Sequence, residues 1–417
     1  MKKILTLLLL ASSINLFGYF ASDNMIDMLV HSNQLRIRTD RFGALFGNRN
    51  VRAAIGLTAA NNFSGIILNN LGKEGESLAD NYKGIDKFIP SLLGAIGYDS
   101  DIFGIAAGYE FTWKAPTYMV HTPILHMTAL DDNFRINIPV SIGVGQDSAY
   151  NKDKSLRGTM VISTAIEARY YFNQPYFSHI RLFFNYGNAT IKEIHDPNIN
   201  FTQQSIGFQA RAYFRYELPY NMVLEPIIRV QFDTALATRY NNIDNKTRIE
   251  DNYFITAKGF IPNALGGTGS FVGAGGANAD LSTGNLSGGY LGSIPEGYFA
   301  KNPYRVGIAL PLGMRATSET GLVEFYLEPA LSLSIVNAKE IFIRGTENLP
   351  AEQQRKRYSP FYTFGYVVYG ELYIRPIPQL EWYLELQTGG STIAGDLAGG
   401  NNTSLIINGA TGITWYF

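Results

Sequence analysis

The chain has 417 residues, 34 Lys and Arg against 35 Asp and Glu, and a formal net charge of -1, a balance that excludes any global attraction to nucleic acid or anionic lipid. Cysteine is absent, which excludes disulfides and thiol-linked lipid. Charged residues make up only 17% while Gly (42), Tyr (26) and Phe (26) are abundant, a bias toward strands and tight turns. The body of the chain has no apolar run of the ~18 residues that a membrane-spanning helix needs.

The opening "MKKILTLLLLASSINLFGYFAS" joins a basic pair, Lys2 and Lys3, to an apolar stretch from Ile4 to Leu10 and then to small residues at Gly18 and Ala21. That order predicts a secretory signal over 1–21, cleaved after Gly18 or Ala21; a buried first helix or strand is the alternative. Residues 22–417 are expected to form one domain.

From there to the end, polar and apolar residues alternate. Strands are predicted near 34–40, 51–59, 62–69, 91–98, 101–113, 118–129, 134–143, 160–172, 177–186, 204–216, 222–233, 305–316, 321–335, 360–374, 379–388 and 403–417. That makes sixteen, or fourteen if the weak third and sixth are dropped. In "VEFYLEPALSLSI" (323–335), Val323, Phe325, Leu327, Leu331, Leu333 and Ile335 share one parity, and Glu324 and Glu328 the other. "QLEWYLELQT" (379–388) repeats this with Leu380, Trp382, Leu384 and Leu386 against Glu381 and Glu385. Successive side chains of a strand point to opposite faces, so each segment has an apolar wall and a charged wall. Eight windows carry several charges that all fall on one face; Arg36 with Arg38 and Asp40, and Glu225 with Arg229 and Asp233, are two of them.

Alternation does not say which wall is dry, but the connections do. Counted back from Phe417 they alternate short (375–378, 317–320, 218–221, 173–176, 131–133, 99–101, 60–62) and long (389–402, 336–359, 234–304, 187–203, 144–159, 70–90). Membrane barrels have short periplasmic turns and long extracellular loops; a soluble sandwich has no reason to keep that asymmetry. The fold class expected is therefore all-β, a closed antiparallel transmembrane β-barrel of about sixteen strands with apolar residues facing lipid. Tyr98, Phe134, Tyr170, Phe172, Tyr176, Phe177, Tyr216, Tyr220 and Tyr373 flank the short turns, where an interfacial girdle belongs. The chain ends on Trp415, Tyr416 and Phe417, and a terminal Phe after alternating apolar residues resembles the signal read by the barrel-insertion machinery. Pro139, Pro226, Pro311 and Pro329 fall inside predicted strands, where bulges or misplaced boundaries are expected.

Four segments, "IDMLVHSNQLRIRTDRFGALFGN" (26–48), "GYDSDIFGIAAGYEFTW" (97–113), "HTPILHMTALDDNFRINIPVSI" (121–142) and "EPIIRVQFDTALAT" (225–238), resemble the variable surface proteins of spirochaete outer membranes. The resemblance is strongest in the first third and thins over the glycine-rich stretch. It implies an outer-membrane location with surface-exposed loops and exposure to host surfaces or antibodies. It brings no enzymatic activity and no substrate.

No catalytic or metal-binding pattern emerges, and no cofactor is implied. His121 and His126 lie five apart around Pro123, which is not the helical pairing of a zinc protease. "GGTGSFVGAGG" (266–276) lacks the Lys-Ser/Thr and the strand-to-helix context of a phosphate loop, and no Ser sits in a G-x-S-x-G elbow. The functional argument rests on lumen-facing charges: Arg36, Arg38, Arg52 and Arg135 early, Arg169, Arg181, Arg211, Arg215 and Arg229 in the middle, Glu324, Glu328, Glu371, Glu381 and Glu385 late. The expectation is a pore for small polar solutes with opposed basic and acidic walls, in a protein that is also a surface antigen. A non-conducting protein for adhesion or immune evasion is the alternative. The long connection 234–304 either folds inward as a constriction or projects as surface. A homo-oligomer stays open, since no interface is readable.

Overall fold

The computed structural model describes residues 41–59, 90–115, 118–146, 157–172, 174–192, 200–240, 304–343, 356–394 and 403–415, with short pieces at 243–244, 247–248, 257, 260–261, 270–271 and 297–299. The predicted signal at 1–21, the strands expected at 34–40 and 62–69, Arg36, Arg38, Tyr416 and Phe417 lie outside the described residues.

Among the described residues every element is a strand. In chain order they are β1 (Arg41–Gly47), β2 (Val51–Ala59), β3 (Pro90–Asp99), β4 (Gly104–Ala115), β5 (Tyr118–Ala129), β6 (Phe134–Gly145) and β7 (Met160–Tyr171). Then come β8 (Phe177–Lys192), β9 (Asn200–Phe214), β10 (Tyr216–Leu218), β11 (Met222–Tyr240), β12 (Ile243–Asp244), β13 (Thr247–Arg248), β14 (Phe260–Ile261), β15 (Ser270–Phe271) and β16 (Gly297–Phe299). The last five are β17 (Tyr304–Thr317), β18 (Val323–Ile343), β19 (Lys356–Ile377), β20 (Leu380–Ala394) and β21 (Thr403–Trp415).

Nineteen of them make one sheet, and β14 pairs only with β15. β1 to β9, β11 and β17 to β21, fifteen strands, follow one another as antiparallel neighbours in chain order. No described pairing joins β1 to β21. Fifteen strands of alternating direction leave those two running the same way. Connections 48–50, 100–103, 130–133, 172–176, 219–221, 318–322 and 378–379 gather at one end of the sheet, and the long ones at the other. The two-residue link 116–117 between β4 and β5 is the exception at the long end.

The start of the sheet departs from the sequence expectation. A strand at 62–69 was to separate 51–59 from 91–98, yet β2 pairs with β1 on one edge and with β3 on the other. Segment 51–59 therefore runs opposite to the expected direction, and the short turn is 48–50 rather than 60–62. The reason is local chemistry: Asn48 Oδ1 accepts from the Asn50 and Val51 amides at 2.9 and 2.8 Å, and Gly47 takes a left-handed φ of 128°. Asn50 then bonds Asp99, and Arg49 meets Asp101 at 3.0 Å, tying two short turns together.

The prolines bring no bulges. Pro311 pairs with Ala330 and Pro329 with Val368 in unbroken register, and around Pro139 and Pro226 the ladder resumes on the same register. Losing an amide costs the ladder a hydrogen bond but adds no residue, so register survives. The bulges lie toward strand ends instead, at Trp113/Ala115, Ala235/Ala237, Ala338/Ile341 and Ile374/Ile377, and at the start of β8.

Interior tyrosines fit over glycines of neighbouring strands. The Tyr118 hydroxyl occupies the space that a Cβ at Gly143 would need, and Tyr383 does the same at Gly412. Gly143→Val should therefore expel the fully buried Tyr118 ring and destabilise the fold by about 1–3 kcal/mol, the usual cost of overpacking, read as a lowered urea midpoint in detergent.

Candidate functional site

The sheet is inverted relative to a soluble one. On β9 Phe208 is 49% exposed while Arg211 is 2% exposed. On β11 Ile228, Val230 and Phe232 are exposed, and Arg229 is completely buried. On β18 Phe325, Leu331, Leu333 and Ile335 are exposed, and Glu328 is buried. Sequestering ionised groups costs several kcal/mol apiece, and exposing rows of Leu and Phe to water adds to that. The arrangement is favourable where the outer medium is hydrocarbon. Phe325 to Ile335 spans roughly 33 Å along the strand, about 25 Å in height at a ~40° tilt, the thickness of an outer-membrane apolar band.

Rings collect at the short-turn end. Tyr98 packs with Phe103 (5.8 Å between centroids), Tyr170 with Phe172 (5.0 Å), Phe172 with Phe177 (4.6 Å) and Tyr176 with Tyr216 (5.6 Å). Tyr373, counted with them from its position in the sequence, points the other way: it is buried and its hydroxyl donates to Glu371 at 2.8 Å. Its parity in β19 matches Glu371, and strand parity outranks proximity to a turn.

The inner face has two walls of opposite sign. On the basic wall Arg135, Arg169, Arg181, Arg211 and Arg229 come from five successive neighbours in the sheet, β6, β7, β8, β9 and β11. Aromatic faces support three of them: Arg135 lies over Tyr171 (4.8 Å), Arg181 over Tyr213 (5.2 Å) and Arg211 over Phe183 (4.3 Å). His179 stacks on Tyr213 at 4.0 Å. Glu167 accepts from Arg169 Nε at 2.5 Å and lies 3.7 Å from Arg181. Arg211 donates to Gln209 Oε1, whose amide donates to Gln231.

On the acidic wall tyrosine hydroxyls join arginines as partners of the carboxylates. Tyr326 donates to Glu328 (2.6 Å), and Tyr369 and Tyr373 donate to the two oxygens of Glu371 (2.6 and 2.8 Å). Arg375 bridges Glu381 (2.8 Å) and Glu324 (3.1 Å), and Arg315 also binds Glu324. The walls meet where Arg229 reaches past β17 to Glu328 at 3.5 Å.

Not every expected lumen charge joins these walls. Arg52 lies near the short turns, 3.7 Å from Asp99. Arg215 sits at the rim between β9 and β10, half exposed, beside Glu217 and Glu225. Glu385, by contrast, shares the parity of Glu381 and falls opposite Glu371, in register with the acidic wall, and Trp415 pairs with Leu380. His121 and His126 point to opposite faces; His126 is buried, and the Tyr109 hydroxyl bonds His121.

Sequence reasoning missed one contact altogether. Ala257, within the long connection between β11 and β17, is fully buried against the inner face. Its carbonyl accepts from the Tyr118 hydroxyl and its amide donates to Ser163 Oγ, both at 2.9 Å. At that residue the connection enters the interior. No motif around Ala257 signals this, because the contact is made by its backbone.

The whole chain, residues 1–416, matches the family model of the Serpulina hyodysenteriae variable surface protein. The chain belongs to that family of surface proteins. No curated protein matches it. Among solved structures it is similar to the β domain of the Bordetella autotransporter Brka, at 9% identity over 79% of this chain and 92% of that one; the TM-score of 0.28 is too low to bear on the fold.

The Arg229–Glu328 pair yields a direct test of the inner face. Glu328→Gln leaves a buried guanidinium facing a neutral amide and should cost about 3–5 kcal/mol of stability, measured by urea titration of the detergent-folded protein.

Proposed function

We propose that the protein is a closed outer-membrane barrel that conducts small polar solutes, while its long connections serve as a variable surface antigen. The observation that carries this reading is the inverted sheet, with apolar side chains exposed and two charged walls inside. Closure with antiparallel pairing throughout takes one more strand between β1 and β21, which brings the total to sixteen. Barrels of about sixteen strands enclose an aqueous lumen unless something fills it. The long connections fall on the side that faces outward in such barrels, and β18 and β19, at 21 and 22 residues, exceed the ~9–11 that a span requires. Their surplus carries the sheet above the bilayer, where antibodies and host surfaces would meet it.

A second reading, a non-conducting surface protein for adhesion or immune evasion, is favoured by two observations. Arg211, Arg229, Glu328, Glu371 and Glu381 are packed with almost no exposure, and Ala257 occupies part of the interior. Planar-bilayer recording separates the readings. Stable conductance of the folded protein is expected, rising when residues 262–292 are deleted. Folded protein, recognised by heat-modifiable gel mobility, that never conducts would leave the display reading, to be pursued through binding of intact cells to host matrix.

A further inference from the structure

Part of the inner face is dry where an open lumen would wet it. Toward the end with the long connections, two rows of small, uncharged residues cross the sheet. In one, Val120 stands opposite Gly143, Gly143 opposite Val161, and Val161 opposite Ala189. In the next, Ser141 stands opposite Ser163, Ser163 opposite Gly187, and Gly187 opposite Ser205. Val120, Val161, Ala189 and Ser205 have no exposure at all, and Ser163 is buried. Side chains this short cannot cap one another against water across strands ~4.8 Å apart, so another part of the chain must lie on them. One step along β7 on the same face, Ala165 is exposed. The cover therefore ends between Ser163 and Ala165.

Ala257 identifies the cover. It belongs to the connection between β11 and β17 and is itself fully buried. Both of its backbone groups are held by side chains of the two strands that flank β6. The Tyr118 hydroxyl of β5 donates to its carbonyl, and its amide donates to Ser163 Oγ of β7, each at 2.9 Å. Gly143 of β6, between them, leaves the space that the Tyr118 hydroxyl occupies. A buried peptide group without a partner is costly, so these two hydroxyls fix where the connection can rest. The local sequence suits a dry, uncharged seat. Tyr253, Phe254, Ile255, Thr256 and Ala257 form an uncharged run in a connection otherwise rich in Gly and Asn. Displayed in water, its three large side chains would be unfavourable.

We infer that this patch is a docking seat for segment 253–257 of the chain, with Tyr118 and Ser163 as its clasp. The longest connection then narrows the interior here instead of joining the displayed surface. This goes beyond the channel reading and does not rest on it, since docking is measurable without conduction. Limited trypsin digestion of the detergent-folded protein, with cleavage sites mapped by mass spectrometry, is the test. Lys258 adjoins the clasp, and Arg157, exposed in the connection between β6 and β7, marks a displayed site. Cleavage after Lys258 is expected to be about tenfold slower, or more, than after Arg157. Tyr118→Phe combined with Ser163→Ala should speed cleavage after Lys258 by about tenfold, the factor that two ordinary hydrogen bonds supply, and leave cleavage after Arg157 unchanged. Ser141→Ala removes a hydroxyl of the seat that bonds Thr122 rather than Ala257, and should behave as the parent. Equal cleavage at the two sites in the folded parent, or protection of Lys258 that survives loss of both hydroxyls, would overturn the inference. Should the double variant lack heat-modifiable mobility, the parent comparison decides. A conducting protein cut freely after Lys258 would keep the channel and lose the seat; a protected protein that never conducts would do the opposite.

Discussion

Everything in this structure depends on which side of the sheet is spared water. A strand cannot avoid sending alternate residues to opposite faces, so two media must be found for two sets of side chains. Here the face rich in Leu, Ile and Phe is the exposed one, and the face carrying Arg and Glu is closed in. In water both halves of that choice are unfavourable; against acyl chains both become favourable. Backbone groups obey the same constraint. In hydrocarbon each amide needs a partner, which a ladder of fifteen antiparallel neighbours supplies away from its two outer edges except at short gaps beside prolines.

The buried charges then need partners of their own. The two walls solve this differently. On the acidic side carboxylates accept from tyrosine hydroxyls or share Arg375 and Arg315, an arrangement that neutralises charge locally. On the basic side ring faces and an amide oxygen support guanidiniums without cancelling their charge, while Glu167 offsets Arg169 and Arg181. A transverse field follows from that difference, and the single Arg229–Glu328 contact marks where the walls join. The Ala257 contact adds a steric element near the end with the long connections, held by two hydrogen bonds to the wall.

Local chemistry explains where sequence reasoning went astray. The parity of Phe208 against Arg211, and of Phe325 against Glu328, was legible because alternation is a property of the isolated strand. The 48–50 turn was overlooked, although Gly47, Asn48 and Asn50 are turn formers, because the strand before it was expected at 34–40 and not at 41–47. Tyr373 was misassigned because nearness to a turn was weighed above parity. The prolines were expected to force bulges, whereas the ladder absorbs a missing donor without changing register.

The sequence by itself determined the all-β class, the two-faced strands, the asymmetry of the connections and the family resemblance, since each is written in local order along the chain. Only the tertiary structure decided that Arg135, Arg169, Arg181, Arg211 and Arg229 form one row and that Ala257 reaches Tyr118 and Ser163. Register between strands depends on turn lengths and bulges accumulated over many residues, and a backbone contact leaves no trace in residue type. Both are non-local, and no pattern within a single strand encodes them.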